Sequence, residues 1–235
     1  MPPESTPAER RARLRQKMRR LARPAWLGTL RRTRPLSDDW GLDRGTPVDR
    51  YYIERFLREQ RHDIRGRALE IGDRGYIDRF GVGVTRHDVL DVDPENHRAT
   101  IVADLGARDM APLAQFDAFV LTQTLQFIPD TRTALSNARR LLAPGGVLLA
   151  TVPCVSRIPA PPGLESDHWR FTVASCRLLF GEAFGQENLA VRSYGNVLSG
   201  IAFLAGMAFE ELSPRELDAD DPYFPLLIAV RAVNR

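Results

Sequence analysis

The sequence predicts an α/β protein built on a doubly wound, mainly parallel sheet, and three observations carry that expectation. From Ala68 onward, short apolar runs alternate with stretches of helical periodicity, the pattern of strands joined by crossover helices. The first of these runs ends in an acid and a glycine turn at Glu70-Ile71-Gly72, as strands do where open α/β sheets bind ligands. The clearest helix has Asp130 as its cap, Ala134, Leu135, Ala138, Leu141 and Leu142 at helical spacing, and Pro144-Gly145-Gly146 as its stop.

The elements follow in order. Residues 1–45 read as a basic arm and lid segment, with a helix over Arg10 to Leu21 flanked by Pro2, Pro3, Pro7, Pro24 and Pro35. Residues 46–235 read as the α/β domain. Its first helix begins at Thr46-Pro47-Val48-Asp49, with Thr46 as the cap and Pro47 in the first turn, and buries Tyr52, Phe56 and Leu57. The candidate strands are 68–71, 89–92, 100–103, 118–121 and 147–152. After a proline-rich loop, Thr172 caps a helix carrying Val173, Cys176, Leu179 and Phe180. A strand over 189–193, a helix within 197–212 and a last strand over 226–233 complete seven strands.

Composition narrows the classes. With 235 residues, 43% of them hydrophobic, the chain can bury a core without disulfides or metals. Its two cysteines, Cys154 and Cys176, form no framework, which fits a reducing cytoplasm. No apolar stretch is long enough to span a bilayer, so a soluble protein is expected. The net charge of +3 is uneven: Met1 to Pro35 hold ten arginines and Lys17 against Glu4 and Glu9, leaving the remainder acidic. The arm could touch nucleic acid or an acidic membrane, but no aromatic residue interleaves with its arginines from Arg10 to Arg23. A solvated helix or lid is therefore preferred.

Site candidates cluster at the strand ends. Gly72 lets the backbone approach a ligand that a Cβ would block, and Glu70 and Asp73 flank it. About 20 residues on, Asp91 and Asp93 each stand where a ribose-binding acid belongs, and one of the pair is expected to face the ligand. Asp-x-Asp also hints at metal, but no further ligand at suitable spacing supports it, and none is expected.

The run Ala68-Leu69-Glu70-Ile71-Gly72-Asp73-Arg74-Gly75 resembles the first motif of the class I S-adenosylmethionine-dependent methyltransferases. The resemblance continues through Asp91-Val92-Asp93-Pro94, Ala103-Asp104-Leu105, Phe116 to Val120 and Leu141 to Leu148. It departs at Arg74 and Tyr76, which occupy the places of the second and third glycines, so that the loop either takes another path to the same cofactor or has lost it. The resemblance implies a Rossmann-like sheet of seven strands with an antiparallel last strand, S-adenosylmethionine as cofactor, and Asp91 as the ribose acid. It also implies Asp104 and Leu105 at the adenine, a helix N-cap being the other role for Asp104, with Thr122 and Gln123 at the methionine end. In related enzymes an N-terminal segment covers the methionine carboxylate, which makes Arg44 and Tyr51 candidates to hold it.

For a hydroxyl acceptor the protein must align the reactants and remove a proton. His168 is the candidate base and Asp167 its orienting partner, although His168 reads equally as a packed or solvent-facing loop residue. The string Asp167 to Thr172 also resembles small methyltransferases associated with sugar and glycan modification. No Asn/Asp-Pro-Pro-Tyr/Phe motif follows the fourth strand, which favours oxygen acceptors. The expected function is O-methylation of a small molecule, a sugar or natural-product hydroxyl. A non-catalytic module of the same fold and an RNA methyltransferase using the basic arm are the rivals, nucleic acid being disfavoured by the acidic body. A nicotinamide dehydrogenase is disfavoured because G-x-G-x-x-G is absent. Acceptor identity and oligomeric state are not legible.

Overall fold

A computed structural model describes residues 28–110, 115–160 and 163–235, together with residues 11, 14–16, 18 and 21–22. The chain divides after Pro35 into two units. In the first, the described residues from 11 to 22 are helical, with Leu14, Met18 and Leu21 exposed, and Gly28–Leu30 forms a 3-10 turn. The rest of the basic helix expected over Arg10 to Leu21, and Pro2, Pro3, Pro7 and Pro24 beside it, lie outside the described residues.

The second unit is a seven-stranded sheet: β1 (Gly66–Ile71), β2 (Val84–Asp91), β3 (Ile101–Val102), β4 (Phe116–Thr122), β5 (Leu142–Pro153), β6 (Leu189–Tyr194) and β7 (Leu227–Val233). The strand order is β3-β2-β1-β4-β5-β7-β6. The first five pair in parallel, and β7 runs antiparallel to both β5 and β6. This is the Rossmann-like sheet the sequence predicts, with the chain reversing its direction of travel between β1 and β4, the place where such sheets open a crevice at their carboxyl ends.

Both faces of the sheet are covered, and the alternation along each strand decides which residue goes where. Leu69, Phe119, Leu121, Leu148 and Ala150 face one layer, formed by α3 (Thr131–Leu141) and α5 (Val173–Phe184). Ala68, Ala118, Val120, Val147 and Leu149 face the other, which holds α1 (Val48–Glu59), α2 (Gly75–Phe80) and α6 (Val197–Ala205). Two short helices, α4 (Gly163–Ser166) and α7 (Pro214–Leu217), sit in the connections.

Capping chemistry sets several boundaries. Asp130 accepts a hydrogen bond from the Thr133 N–H at 3.0 Å, and Thr172 forms a reciprocal capping box with Ser175. Two expectations need correction. Thr46 does not cap α1: its hydroxyl and N–H both donate to Glu210, leaving Pro47 at the cap position with no side-chain bond. Nor does Pro144-Gly145-Gly146 stop α3, which ends at Leu141; Leu142 is already extended, and the three residues lie inside β5. The register against β4 shifts between Phe116 and Ala118, so Pro-Gly-Gly is accommodated as a bulge in the strand.

Candidate functional site

Three cavities meet along the carboxyl edge of the sheet. The first, of about 590 Å³, lies beyond β1, β2 and β3 and is lined by Ile71, Asp91, Asp104, Leu105, Phe127 and Ile128 among others. The second, of about 550 Å³, continues from Ile71 across Glu70, Gly72, Asp73, Tyr76, Thr122 and Gln123. Together they form one cleft that turns around the end of β1. A smaller third cavity, of about 260 Å³, shares Leu42, Pro47, Arg50 and Gln123 with the second.

The loop after β1 is built around a buried acid. Glu70 accepts hydrogen bonds from the N–H groups of Tyr76 at 3.0 Å and Ile77 at 2.9 Å, so its carboxylate satisfies the start of α2. Burial nevertheless pushes its pKa up to about 7. Gly72 sits at φ +74°, a left-handed conformation that side chains rarely adopt, and a Cβ at this position would meet only Asp91 Oδ2, at 4.0 Å. Asp73 is held beside it by the Arg74 N–H at 2.6 Å and by Arg98. Tyr76, where the family motif has a glycine, turns its ring into the core, stacked on Phe80 and hydrogen-bonded by Arg50. The residue therefore forms part of the wall of the second cavity. Arg74 is exposed, near Asp78.

At the end of β2, Asp91 lines the cleft and Asp93 does not. The strand stops at Asp91, and beyond it the Asp93 carboxylate accepts the Glu95 N–H in a local turn, exposed to solvent. Asp91 Oδ2 accepts from Asn96 Nδ2 at 2.6 Å, and the same amide nitrogen reaches the Gly72 carbonyl at 2.8 Å. Sequence reasoning misses Asn96, because nothing in its local pattern marks a residue that ties two ligand-edge loops together. Asp104 turns its Oδ1 onto the Gly106 N–H at 2.7 Å, and Leu105 is buried with its carbonyl bound by Asn137. Thr122 ends β4, and Gln123 follows it at φ +48°.

The structure does not bring Arg44 and Tyr51 to the cleft. Arg44 forms a two-point ion pair with Glu211, and the Tyr51 hydroxyl donates to Asp218 at 2.8 Å. Tyr51 thereby ties α1 to the end of α7, and the Arg44 pair belongs to the staple that fastens residues 36–47 to the segment after α6. There Leu36 donates to Ala205, Phe209 donates to Thr46, and Gly206, at φ +72°, packs so closely on the Ser37 backbone that a Cβ would overlap it. Arg50, one turn into α1, is the cation that lines both the second and third cavities. Nor are Asp167 and His168 paired. Asp167, with only 2% of its side chain exposed, holds Arg170 through both oxygens at 2.5 and 2.7 Å. His168 is exposed, its N–H donating to the Gln126 carbonyl. Asp167 and Arg170 line the third cavity, and His168 is not among its walls.

Residues 85–150, which carry Asp91, Asp104, Thr122 and Gln123, match a family model described as a methyltransferase domain. The chain has the Rossmann-like fold found in methyltransferases. Among solved structures, the chain is similar to one from the complex between the Haloferax volcanii Trm112 methyltransferase activator and a methyltransferase. That likeness has 19% identity and a TM-score of 0.53, covering 87% of this chain and 100% of that one. It is also similar to the N-methyltransferase NodS from Bradyrhizobium japonicum WM9 in complex with S-adenosylhomocysteine, at 17% identity and a TM-score of 0.50, covering 87% and 94%. Comparison with curated proteins gives no match. Among the described residues, no helix of this methyltransferase fold is long and apolar enough to cross a membrane.

Proposed function

We propose that the chain is an S-adenosylmethionine-dependent methyltransferase that methylates a hydroxyl of a small molecule. The observation that carries this reading is the continuous cleft around Gly72, with carboxylates suited to the cofactor's ribose hydroxyls and adenine amine. Asp91 keeps acceptor capacity for ribose hydroxyls beyond the bonds it accepts from Asn96 and Asp93, and Asp104 faces the same cavity as a partner for the adenine amine. Thr122 and Gln123 line the methionine end, and Arg50 offers its guanidinium to a carboxylate. The altered glycine loop fits this assignment because the Tyr76 ring is packed on Phe80 and its hydroxyl is held by Arg50, so that it forms part of the cleft wall.

The bound cofactor would supply an electrophilic methyl group on a sulfonium. The protein's share is alignment and proton removal, in a cavity of about 260 Å³ that suits a small acceptor better than a nucleic acid. Both cysteines are free, in keeping with a reducing, cytoplasmic setting. Calorimetric titration with S-adenosylmethionine and S-adenosylhomocysteine tests the reading, with micromolar or tighter binding expected. Folded protein that binds neither would instead be a non-catalytic module of this fold.

A further inference from the structure

The third cavity gathers features that packing alone does not account for. Four residues that line it each carry a polar side-chain atom that is shut off from solvent and has no hydrogen-bond partner: Asp49 Oδ1, Gln123 Nε2, Gln126 Oε1 and Arg157 Nη1. An unmade hydrogen bond of a buried group costs about 1–3 kcal/mol, so four around one space point to a missing partner. Its walls also include Trp40 and Gln123, which at φ +52° and +48° are the two non-glycine residues in the left-handed region among those described. Strained backbone of this kind persists where the surrounding structure over-determines it, and it clusters at ligand sites. The guanidinium of Arg157 lies 4.2 Å from the Trp40 ring centroid, which fixes the aromatic face on that side.

We infer that this cavity is the acceptor subsite, that it takes a single polyhydroxylated ring, and that Asp49 receives the proton of the hydroxyl that is methylated. The inference rests on the proposed methyltransferase function and adds the acceptor's chemistry and the base. Two of the unpaired atoms accept hydrogen bonds and two donate, and a hydroxyl is the group that satisfies both kinds. At about 260 Å³ the space falls below the roughly 300 Å³ at which sites for drug-sized ligands begin, and so holds one ring. Of the carboxylates on its walls, Asp167 is committed to Arg170, whereas Asp49 keeps a free oxygen. Burial raises the Asp49 pKa, making it a better proton acceptor than an exposed aspartate. In the transfer, the acceptor oxygen forms a C–O bond to the methyl carbon as the S–C bond breaks. The bonding pair stays on sulfur, giving a neutral thioether, and the hydroxyl proton passes to Asp49.

The test uses the whole chain saturated with S-adenosylhomocysteine, titrated with methyl α-D-glucopyranoside and with myo-inositol and followed by calorimetry and tryptophan fluorescence. At least one ring should bind with millimolar or better affinity, and Asp49→Asn should weaken it about tenfold or more while leaving S-adenosylhomocysteine affinity as in the parent. Arg157→Met, away from the α1 start, should weaken it similarly and serves if Asp49→Asn does not fold. Binding of neither ring to the loaded protein, or equal binding by parent and variants, overturns the inference while leaving the methyltransferase reading standing. Failure to bind S-adenosylhomocysteine at all would remove that reading, and this inference with it.

Discussion

Asn96 ties Asp91 to the glycine loop: one amide nitrogen donates both to Asp91 Oδ2 and to the Gly72 carbonyl. The acid is thereby held against the cleft, while Asp93, two residues on, is spent on a turn. Asp91→Ala should weaken S-adenosylhomocysteine binding by about ten- to a hundredfold, the loss of a charge-assisted contact of roughly 1.5–3 kcal/mol. Asp93→Ala should cost much less, and Asn96→Ala should fall between them because the acid keeps its charge but loses its anchor. Titration of variants that melt near the parent decides the matter. A larger loss at Asp93 would reverse the assignment, and no loss at either acid would mean the cofactor lies elsewhere.

The seven strands and the caps at Asp130 and Thr172 are legible because each is written in local periodicity and capping chemistry. The cleft edge is legible for a related reason: Gly72 and Asp91 stand at strand ends, where an open α/β sheet forms its crevice. What does not show is pairing across long sequence separations. Arg44 meets Glu211, Thr46 meets Glu210 and Tyr51 meets Asp218, and no local pattern announces any of these contacts. Asp167 and His168 are neighbours in sequence, yet the backbone after α4 turns the carboxylate to Arg170 instead. Asp49 reads as part of a helix start, and only the fold reveals that its oxygen is left without a partner.

The ion pair of Asp167 with Arg170 predicts how the two residues of the overhanging loop respond to substitution. Asp167→Ala removes the partner of a guanidinium on a cavity wall and should cost about 1–3 kcal/mol of stability, lowering the melting temperature by several degrees. His168→Ala, at an exposed side chain, should stay within about 0.5 kcal/mol of the parent. Thermal melts of both variants check this. A His168 variant that loses more than the Asp167 variant would restore the pairing expected from the sequence.

The basic arm predicts independence from the cleft. Residues 1–35 form a unit of their own, and every residue named on the cleft belongs to the other unit. Deleting Met1 to Arg23 should leave S-adenosylhomocysteine affinity nearly unchanged. Filter binding of the intact chain to a structured RNA over a range of salt is the complementary measurement. Tight binding that falls steeply with salt would mean that the arginines neutralise phosphates, and would favour an RNA substrate over a small molecule.

Glu70 predicts a stability that depends on pH in a direction opposite to most carboxylates. Burial lifts its pKa from the ordinary 4.5 to about 7, against the pull of the Ile77 and Tyr76 N–H groups, and the nearby charges of Asp73 and Asp78 add to the rise. Below about 4.5 the group is protonated whether folded or unfolded and contributes nothing to the difference. As the pH rises from there to about 7, the unfolded chain gives up its proton first, the folded state binds more protons, and stability falls. The full cost, on the order of 3 kcal/mol, is present above the folded pKa. Glu70→Gln removes the titration, so the parent should gain stability relative to the variant as the pH is lowered from about 8 to about 5. Urea unfolding of both proteins at the two pH values measures the difference. A gap that stays flat, or that widens in the parent's favour toward pH 8, would show that the two N–H bonds outweigh burial and that Glu70 is an ordinary ionised helix cap.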